Sequence, residues 1–204
     1  MASVEPTSTA LLQRREVVKA LLAERGDLLV VAGLGAPAWD ATAAGDHPLT
    51  FPLWGGMGGA VMIGLGLALA QPEKRVLVLT GDGEMLMGLG SLATASVSQP
   101  KNLSVVVLDN EVYGETGMQS THTAFGVDLA ATAKACGFVA TSTITEETGI
   151  APLRKAIHEG IGPLFAQIKI AAEPMPLVLP PRDGAHLKNR FREALLGDQA
   201  HSQN

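Results

Sequence analysis

Apolar residues along the chain switch repeatedly between two spacings, and the switching predicts an alternation of helices and strands. In residues 7–25, Leu11, Leu12, Val18, Leu21 and Leu22 recur at helical intervals with charges between them, and Gly26 closes the segment. That is the pattern of an amphipathic helix with a glycine stop. Residues 28–31, 75–80 (RVLVLT) and 103–108 (LSVVVL) are instead unbroken apolar runs of strand length, as expected for strands covered on both faces. Shorter strands are predicted at 51–53 and 138–141, and a last one at 164–170. Helices are predicted at 60–70, 85–96, 128–136, from near 146 to 158, and at 185–196. Between them lie a glycine-punctuated loop at 33–37, a polar stretch near 45–48, a Gly/Thr-rich loop at 111–124 and a proline-rich connector at 174–181.

Strands alternating with helices predict an α/β fold, a doubly wound and mainly parallel sheet with helices on both faces. No internal repeat is visible. One domain is expected over 1–204, with an N-terminal helix within 1–27 and a C-terminal piece, 174–204, made of connector, helix and frayed tail from 197 onward.

Composition refines this picture in three ways. The 23 glycines and 4% aromatics favour close approach of backbones to each other or to a ligand. A net charge of −5 and a pI near 5.5 argue against a nucleic-acid partner, which normally meets a basic face. They leave room for a phosphorylated ligand held by a metal and backbone N–H groups. The lone Cys136 excludes an intrachain disulfide and reads as a small buried apolar residue. The N-terminus lacks a signal-peptide pattern, and the longest apolar stretch, 57–70, is too short for a bilayer. A soluble, cytoplasmic protein without membrane contact is the expectation.

The candidate chemistry sits where strands end. Open α/β sheets bind ligands at the carboxyl ends of their strands. The run RVLVLT ends in Gly81-Asp82-Gly83 and LSVVVL ends in Asp109-Asn110. If the two strands are neighbours, Asp82 and Asn110 emerge side by side. A carboxylate, an amide oxygen and a backbone carbonyl make a hard oxygen site suited to Mg²⁺, which usually also bridges to a ligand's phosphates. Gly81 and Gly83 let the backbone approach a diphosphate, and the helix after Glu84 would aim N–H groups at it. A Gly-Asp-Gly alone is often only a strand-to-helix turn; two strand tips 28 residues apart, each ending in an oxygen ligand, say much more.

The segment GDGEMLMGLGSLATASVSQPKNLSVVVLDNEVYG resembles the cofactor motif of thiamine diphosphate (TPP) enzymes. The resemblance implies Mg²⁺ ligation by the side chains of Asp82 and Asn110 and the carbonyl of Val112, with Tyr113 next to it. The Gly-Gly-Met-Gly-Gly turn at 55–59 and the small-residue helix after it resemble the same domain, which implies contacts of Gly55 and Met57 with the aminopyrimidine. Gly35 falls where that family places cofactor-contacting backbone. Trp39 lies near the family's hydrophobic wedge, although ordinary packing is the simpler reading. The stretches GLGLALAQPEKRVLVLTGDG, NLSVVVLDNEVYGETGMQSTHT, DLAATAKACGF and VLPPRDG are most similar to sulfopyruvate and phosphonopyruvate decarboxylases.

That likeness implies the diphosphate-binding subunit of a 2-oxoacid decarboxylase, with TPP and Mg²⁺ as cofactors and a small-molecule 2-oxoacid as substrate. The glutamate that activates the aminopyrimidine belongs in this family to a pyrimidine-binding domain, and no such second domain is visible in the sequence. A separate pyrimidine-binding alpha subunit is therefore expected, in a homo- or hetero-oligomer with TPP at the interface. Two residues depart from the family. Glu84 stands where a small residue is common and would bring a carboxylate near the diphosphate unless it turns away or is paired. Gly88 stands where relatives usually have Asn.

His122 and Glu115 are the candidate catalytic residues of the 111–124 loop, against the plainer reading of both as solvated. Thr116, Gln119 and Thr121 share that loop and could bind an anionic head group. Met85 and Met87 read as core or as cofactor wall. His47, His158, His186 and His201 read as surface residues, and Arg182, Lys188, Arg190 and Arg192 as a solvated basic face or a cover for an acidic substrate. Carboligation or electron transfer on the same cofactor, and a subunit that has lost catalysis, stay open as alternatives.

Overall fold

The unbroken apolar runs form the centre of a parallel sheet in the computed structural model of the chain, which describes residues 11–201. Its strands are β1 (Leu29–Ala32), β2 (Thr50–Pro52), β3 (Val76–Gly81), β4 (Leu103–Asp109), β7 (Ala140–Ile144) and β8 (Leu164–Lys169), with a two-stranded hairpin of β5 (Val112–Tyr113) and β6 (Gln119–Ser120) beyond β4. The six strands run in the order β2-β1-β3-β4-β8-β7, every pair parallel. β1 and β4 are buried along their whole length, which is why they read as continuous hydrophobic runs rather than alternating ones.

Helices cover both faces. On one side α1 (Arg14–Leu22), α2 (Ala36–Ala43) and α7 (Ile150–Glu159) pack on Val30, Leu77, Leu79, Val106 and Ile168. On the other, α3 (Ala60–Ala70), α5 (Ser91–Ser98), α6 (Leu129–Cys136) and Phe191 of α8 (Gly184–Leu196) pack on Leu29, Val31, Val78, Val105 and Phe165. The order reverses between β1 and β3: the chain leaves β1 toward β2, and leaves β3 the other way toward β4. Such a switch point opens a crevice at the strands' carboxyl ends. Among the described residues no helix is long and apolar enough to cross a membrane.

Several expectations are corrected. Of the expected helix at 7–25, only Arg14–Leu22 is helical; Leu12 instead bridges in parallel to Ile170, extending the edge of β8, and residues 7–10 lie outside the described residues. Residues 36–43, of which 36–37 were expected in a loop and the rest given no element, form α2, which starts after Gly35 at φ +77° with Pro37 in its first turn. The single helix expected at 85–96 is two: α4 (Asp82–Met87) and α5, separated by Gly88-Leu89-Gly90. Gly88 breaks the helix because its backbone lies against that of Gly58, whose carbonyl oxygen occupies the place of a Cβ. The strand expected at 138–141 lies at Ala140–Ile144, because Phe138 turns into the core edge-on to Phe165.

Cys136 is half-buried rather than buried. His47 and His158 are also half-buried, and His47 accepts the N–H of Leu49 on Nδ1 (3.1 Å). Residues 197–201 are not frayed: they form a 3-10 turn whose Ala200 carbonyl accepts from Arg192 (2.9 Å). Trp39 packs against the α1–α2–α7 core, as its plainer reading had it. Arg190 is paired with Asp46 through two contacts (2.7 and 3.1 Å), so that part of the basic stretch is not free.

The Gly58–Gly88 contact makes a direct prediction. Gly88→Ala forces the 55–59 turn away from α4 and lowers stability by about 1–3 kcal/mol, as overpacking does. Urea unfolding would read this as a lower midpoint with an unchanged slope; an unchanged midpoint would show that the turn yields freely.

Candidate functional site

β3 and β4 end in step, with Gly81 opposite Leu108. The chain therefore leaves the two strands at Asp82 and at Asp109-Asn110 along the same edge of the sheet, as the strand-tip reading required. Asp82 is the first residue of α4 and only 2% exposed. Its Oδ2 accepts the Thr121 hydroxyl at 2.5 Å and, more distantly, that of Thr123 at 3.4 Å. Burial pushes its pKa up to about 6; the Thr121 hydrogen bond opposes the shift and the carboxylate of Asp109 adds to it.

Asp109, fully buried, is held from three directions. It accepts from Thr123 Oγ1 (2.8 Å) and Gln167 Nε2 (2.6 Å), and pairs with Lys169 Nζ (2.7 Å). Lys169 also reaches Glu111 (2.6 Å), while Gln167 turns its other end to the N–H groups of Leu129 and Ala130, each at 3.1 Å, at the start of α6. The side chain of Asp109 is thus fully committed to the protein, leaving Asp82 and Asn110 as the less committed pair at the strand tips. Asn110 Oδ1 accepts the Val112 N–H (3.2 Å) across Glu111, which takes a left-handed φ of +63°. One tight turn therefore carries both the Asn110 amide and the Val112 peptide.

The glycines around this edge have separate reasons. Gly83 faces the ring of Tyr113, whose Cε1 would lie 2.6 Å from a Cβ there. Gly35 combines a left-handed φ with the approach of the Glu115 carboxylate, 2.8 Å from where its Cβ would be. Nothing stands within 4 Å of a Cβ built at Gly81 or Gly55, so both border open space. Met57 is 37% exposed in the turn between. Trp54, next to that turn, donates its indole N–H to the Pro181 carbonyl (2.7 Å), and Arg182 lies 5.6 Å over its ring. Arg182 thus belongs to a strap against Trp54, ahead of α8, and not to a helical basic face.

Other loop residues divide sharply. Thr121 and Thr123 are buried against the carboxylates while His122, between them, is exposed. Thr121 is therefore not available to a head group, which corrects that expectation. Thr116 and Gln119 bond to each other (2.9 Å between side chains, and 2.8 Å from Gln119 Nε2 to the Thr116 carbonyl). Met85 is core at 1% exposure, and Met87 is 64% exposed.

Glu84 does not face the open edge. It is 4% exposed, accepts the Thr80 hydroxyl at 2.9 Å and lies over Gly33. Burial raises its pKa, against the hydrogen bond from Thr80 and the backbone N–H groups of Ala60, Leu34 and Gly58. Its Oε1 atom lacks a well-formed hydrogen bond.

A divalent cation fits this donor set. The Asp82 carboxylate is fixed through one oxygen, the other has no side-chain partner, and the Asn110–Val112 turn stands at the neighbouring strand end. The described residues hold no group of three His, Cys, Asp or Glu suited to a metal, so any ion here relies on amide and peptide oxygens as well. Gln167, Lys169 and Thr123 were missed by sequence reading. The signal was a glutamine inside the otherwise apolar run LFAQIKI, where a buried polar residue needs partners.

The sequence profile described as thiamine pyrophosphate enzyme, C-terminal TPP binding domain, matches residues 36–168. The chain is 35% identical over 186 residues to sulfopyruvate decarboxylase subunit beta of Methanococcus maripaludis, covering 90% of this chain and 98% of that one. It is 45% identical over 128 residues to the subunit of the same name from Methanothermobacter thermautotrophicus, with 63% of this chain and 68% of that one covered. It is 36% identical to phosphonopyruvate decarboxylase of Streptomyces viridochromogenes over 94% of its own length but spans only 47% of that protein. Among solved structures, a thiamin diphosphate-dependent enzyme from Mycobacterium smegmatis shares the fold with a TM-score of 0.67 at 22% identity, over 80% of this chain and 32% of that one.

The buried network predicts that Gln167→Leu is expensive despite its similar volume. It strands Asp109 and the first N–H groups of α6, and should destabilise the protein by about 2–4 kcal/mol, the range for several buried hydrogen bonds lost together. Thermal unfolding would measure it, and a change below the error of the method would mean the network carries no net stability.

Proposed function

Because the chain belongs to the thiamine pyrophosphate enzymes, as their C-terminal TPP-binding domain, we propose that it is the diphosphate- and Mg²⁺-binding subunit of a 2-oxoacid decarboxylase. The observation that carries the reading is the paired strand tip: one buried, oriented carboxylate and one amide on adjoining strands, backed by Thr121, Thr123, Gln167 and Lys169. Asp82, Asn110 and the Val112 carbonyl hold Mg²⁺. Backbone at Gly35, Gly81, Gly83 and Glu84 receives the diphosphate, with Tyr113 packed behind Gly83. Gly55 and Met57 meet the aminopyrimidine. When bound, TPP supplies the nucleophilic carbon and the electron sink that losing CO₂ requires.

The substrate class follows from the relatives' names: a 2-oxoacid with a sulfonate or phosphonate tail. His122, exposed beside two anchored threonines, and Glu115, reaching across to Gly35, are the residues of this chain placed to hold or move a proton at the substrate. The relatives named subunit beta imply a partner, and we assign it the pyrimidine-binding role, with TPP at the interface. The surface supports this. α3 is apolar on all sides, as a helix is when both of its faces are covered. Met62, Ile63 and Leu69 on that helix, with Met57 and Met87 nearby, are nonetheless 37–64% exposed in the single chain. A subunit without cofactor chemistry was suggested by Glu84, Gly88 and the missing activating glutamate, and the first of these motives weakens because the Glu84 carboxylate is turned inward against Thr80.

Calorimetric titration of TPP into the chain co-expressed with its partner, with and without Mg²⁺, tests the assignment. Asp82→Ala should lose at least about a hundredfold in Mg²⁺-dependent TPP affinity, since a ligand matters more than the supporting groups worth 10–100-fold. Equal titration of the two proteins would remove the metal assignment. The pH dependence has a definite sign. A proton on Asp82 competes with the ion, so affinity is full above its pKa of about 6 and declines as pH falls through that value. Below it the loss approaches about tenfold per unit for a one-proton competition. The same co-expressed pair should release CO₂ from sulfonated or phosphonated 2-oxoacids in preference to pyruvate. Equal rates on pyruvate would move the substrate assignment elsewhere.

A further inference from the structure

We propose that Glu84 is a positioning residue whose buried carboxyl clasps the β1–α2 loop to the end of β3, fixing the floor of the switch-point crevice. Two chain segments meet at this carboxyl. From β3 comes Thr80, donating its hydroxyl to Glu84 Oε2 at 2.9 Å. From the β1–α2 loop comes Gly33, whose missing side chain leaves the space that this same oxygen fills. Backbone pairing reaches no further than this point: Gly33 N–H bonds to the Leu79 carbonyl (2.8 Å) and Leu53 N–H to that of Ala32 (2.8 Å). Past those residues Glu84 supplies the side-chain contact that joins β3 to the β1–α2 loop.

Gly33 is the complement of this clasp. Its backbone is not among the positive-φ positions, so conformation does not demand glycine there. Volume does, because a Cβ would overlap the Glu84 carboxyl. The two residues are therefore coupled: with a short side chain at 84, only Thr80 Oγ1, 3.1 Å from the Cβ position, still crowds a side chain at 33. The inference rests on the TPP reading only for what the crevice holds.

Two readouts on one double-mutant cycle test it, using the full chain with its partner. In Glu84→Ser, amide hydrogen exchange at Gly33 and Leu53, bonded to the Leu79 and Ala32 carbonyls, should quicken at least about tenfold, after correction for intrinsic rates, while Val105 in the sheet is unchanged, the signature of local opening. Gly33→Ala should do the same by displacing the carboxyl. Added to Glu84→Ser, Gly33→Ala should change exchange by less than about twofold, because only the rotatable Thr80 hydroxyl then borders the new methyl group and the effects are not additive. Mg²⁺-dependent TPP affinity should follow the same pattern, weakened about 10–100-fold in each single variant, as for supporting groups elsewhere. If Glu84→Ser does not fold, Glu84→Gln, which keeps the volume and one acceptor, must still quicken exchange at those two amides. Unchanged exchange there, or effects of positions 33 and 84 that simply multiply, overturns the clasp. Clasped loops in a wild-type complex that does not bind TPP would instead leave the clasp standing and remove the cofactor reading.

Discussion

Two carboxylates buried at adjoining strand tips are the constraint around which this edge of the molecule is organised. Like charges taken out of water side by side are unfavourable, and each must be neutralised or hydrogen-bonded. The protein resolves one of them internally: Asp109 receives Lys169, Gln167 and Thr123. It leaves the other half-resolved, since Asp82 receives only hydroxyls and has its pKa raised by burial. An asymmetric pair of this kind leaves one carboxylate for the cation proposed above. The β3–β4 register, the buried threonines flanking His122 and the polar residue inside β8 all contribute to that asymmetry.

The fold was legible because parallel strands buried on both faces are unbroken hydrophobic runs, and RVLVLT and LSVVVL cannot be mistaken for exposed elements. The strand tips were legible for the same reason, since a ligand residue directly after such a run has one place to go. What failed was local. α2 is short and alanine-rich, with a glycine just before it and a proline in its first turn, so no periodicity announced it. The α4–α5 break depends on a contact with Gly58, 30 residues earlier, which the sequence near Gly88 does not reveal. Glu84 read as a threat to an anionic ligand because its neighbours in sequence are ligand-binding residues. Its neighbours in space, Thr80 and Gly33, turn it inward.

The supporting residues explain why a site on loops can be stiff. Thr121 and Thr123 anchor their loop to both carboxylates, and Gln167 joins Asp109 to the first turn of α6. A shift at any one of these tips is felt by the helix start, the strand end and the His122 loop together. Preorganised geometry of this sort lets a bound cofactor meet its contacts without rearrangement. The chain spans almost all of the Methanococcus maripaludis subunit but only about half of the Streptomyces protein. The same domain therefore matches relatives both as most of a chain and as part of a longer one.

The apolar outer face of α3 bears on supply as well as on assembly. A chain made in excess of its counterpart would carry Met62, Ile63 and Leu69 into water with nothing to shield them, and the surplus would gather into aggregates. Matched synthesis of the two polypeptides, or immediate pairing as they leave the ribosome, is the condition under which such a helix can be retained.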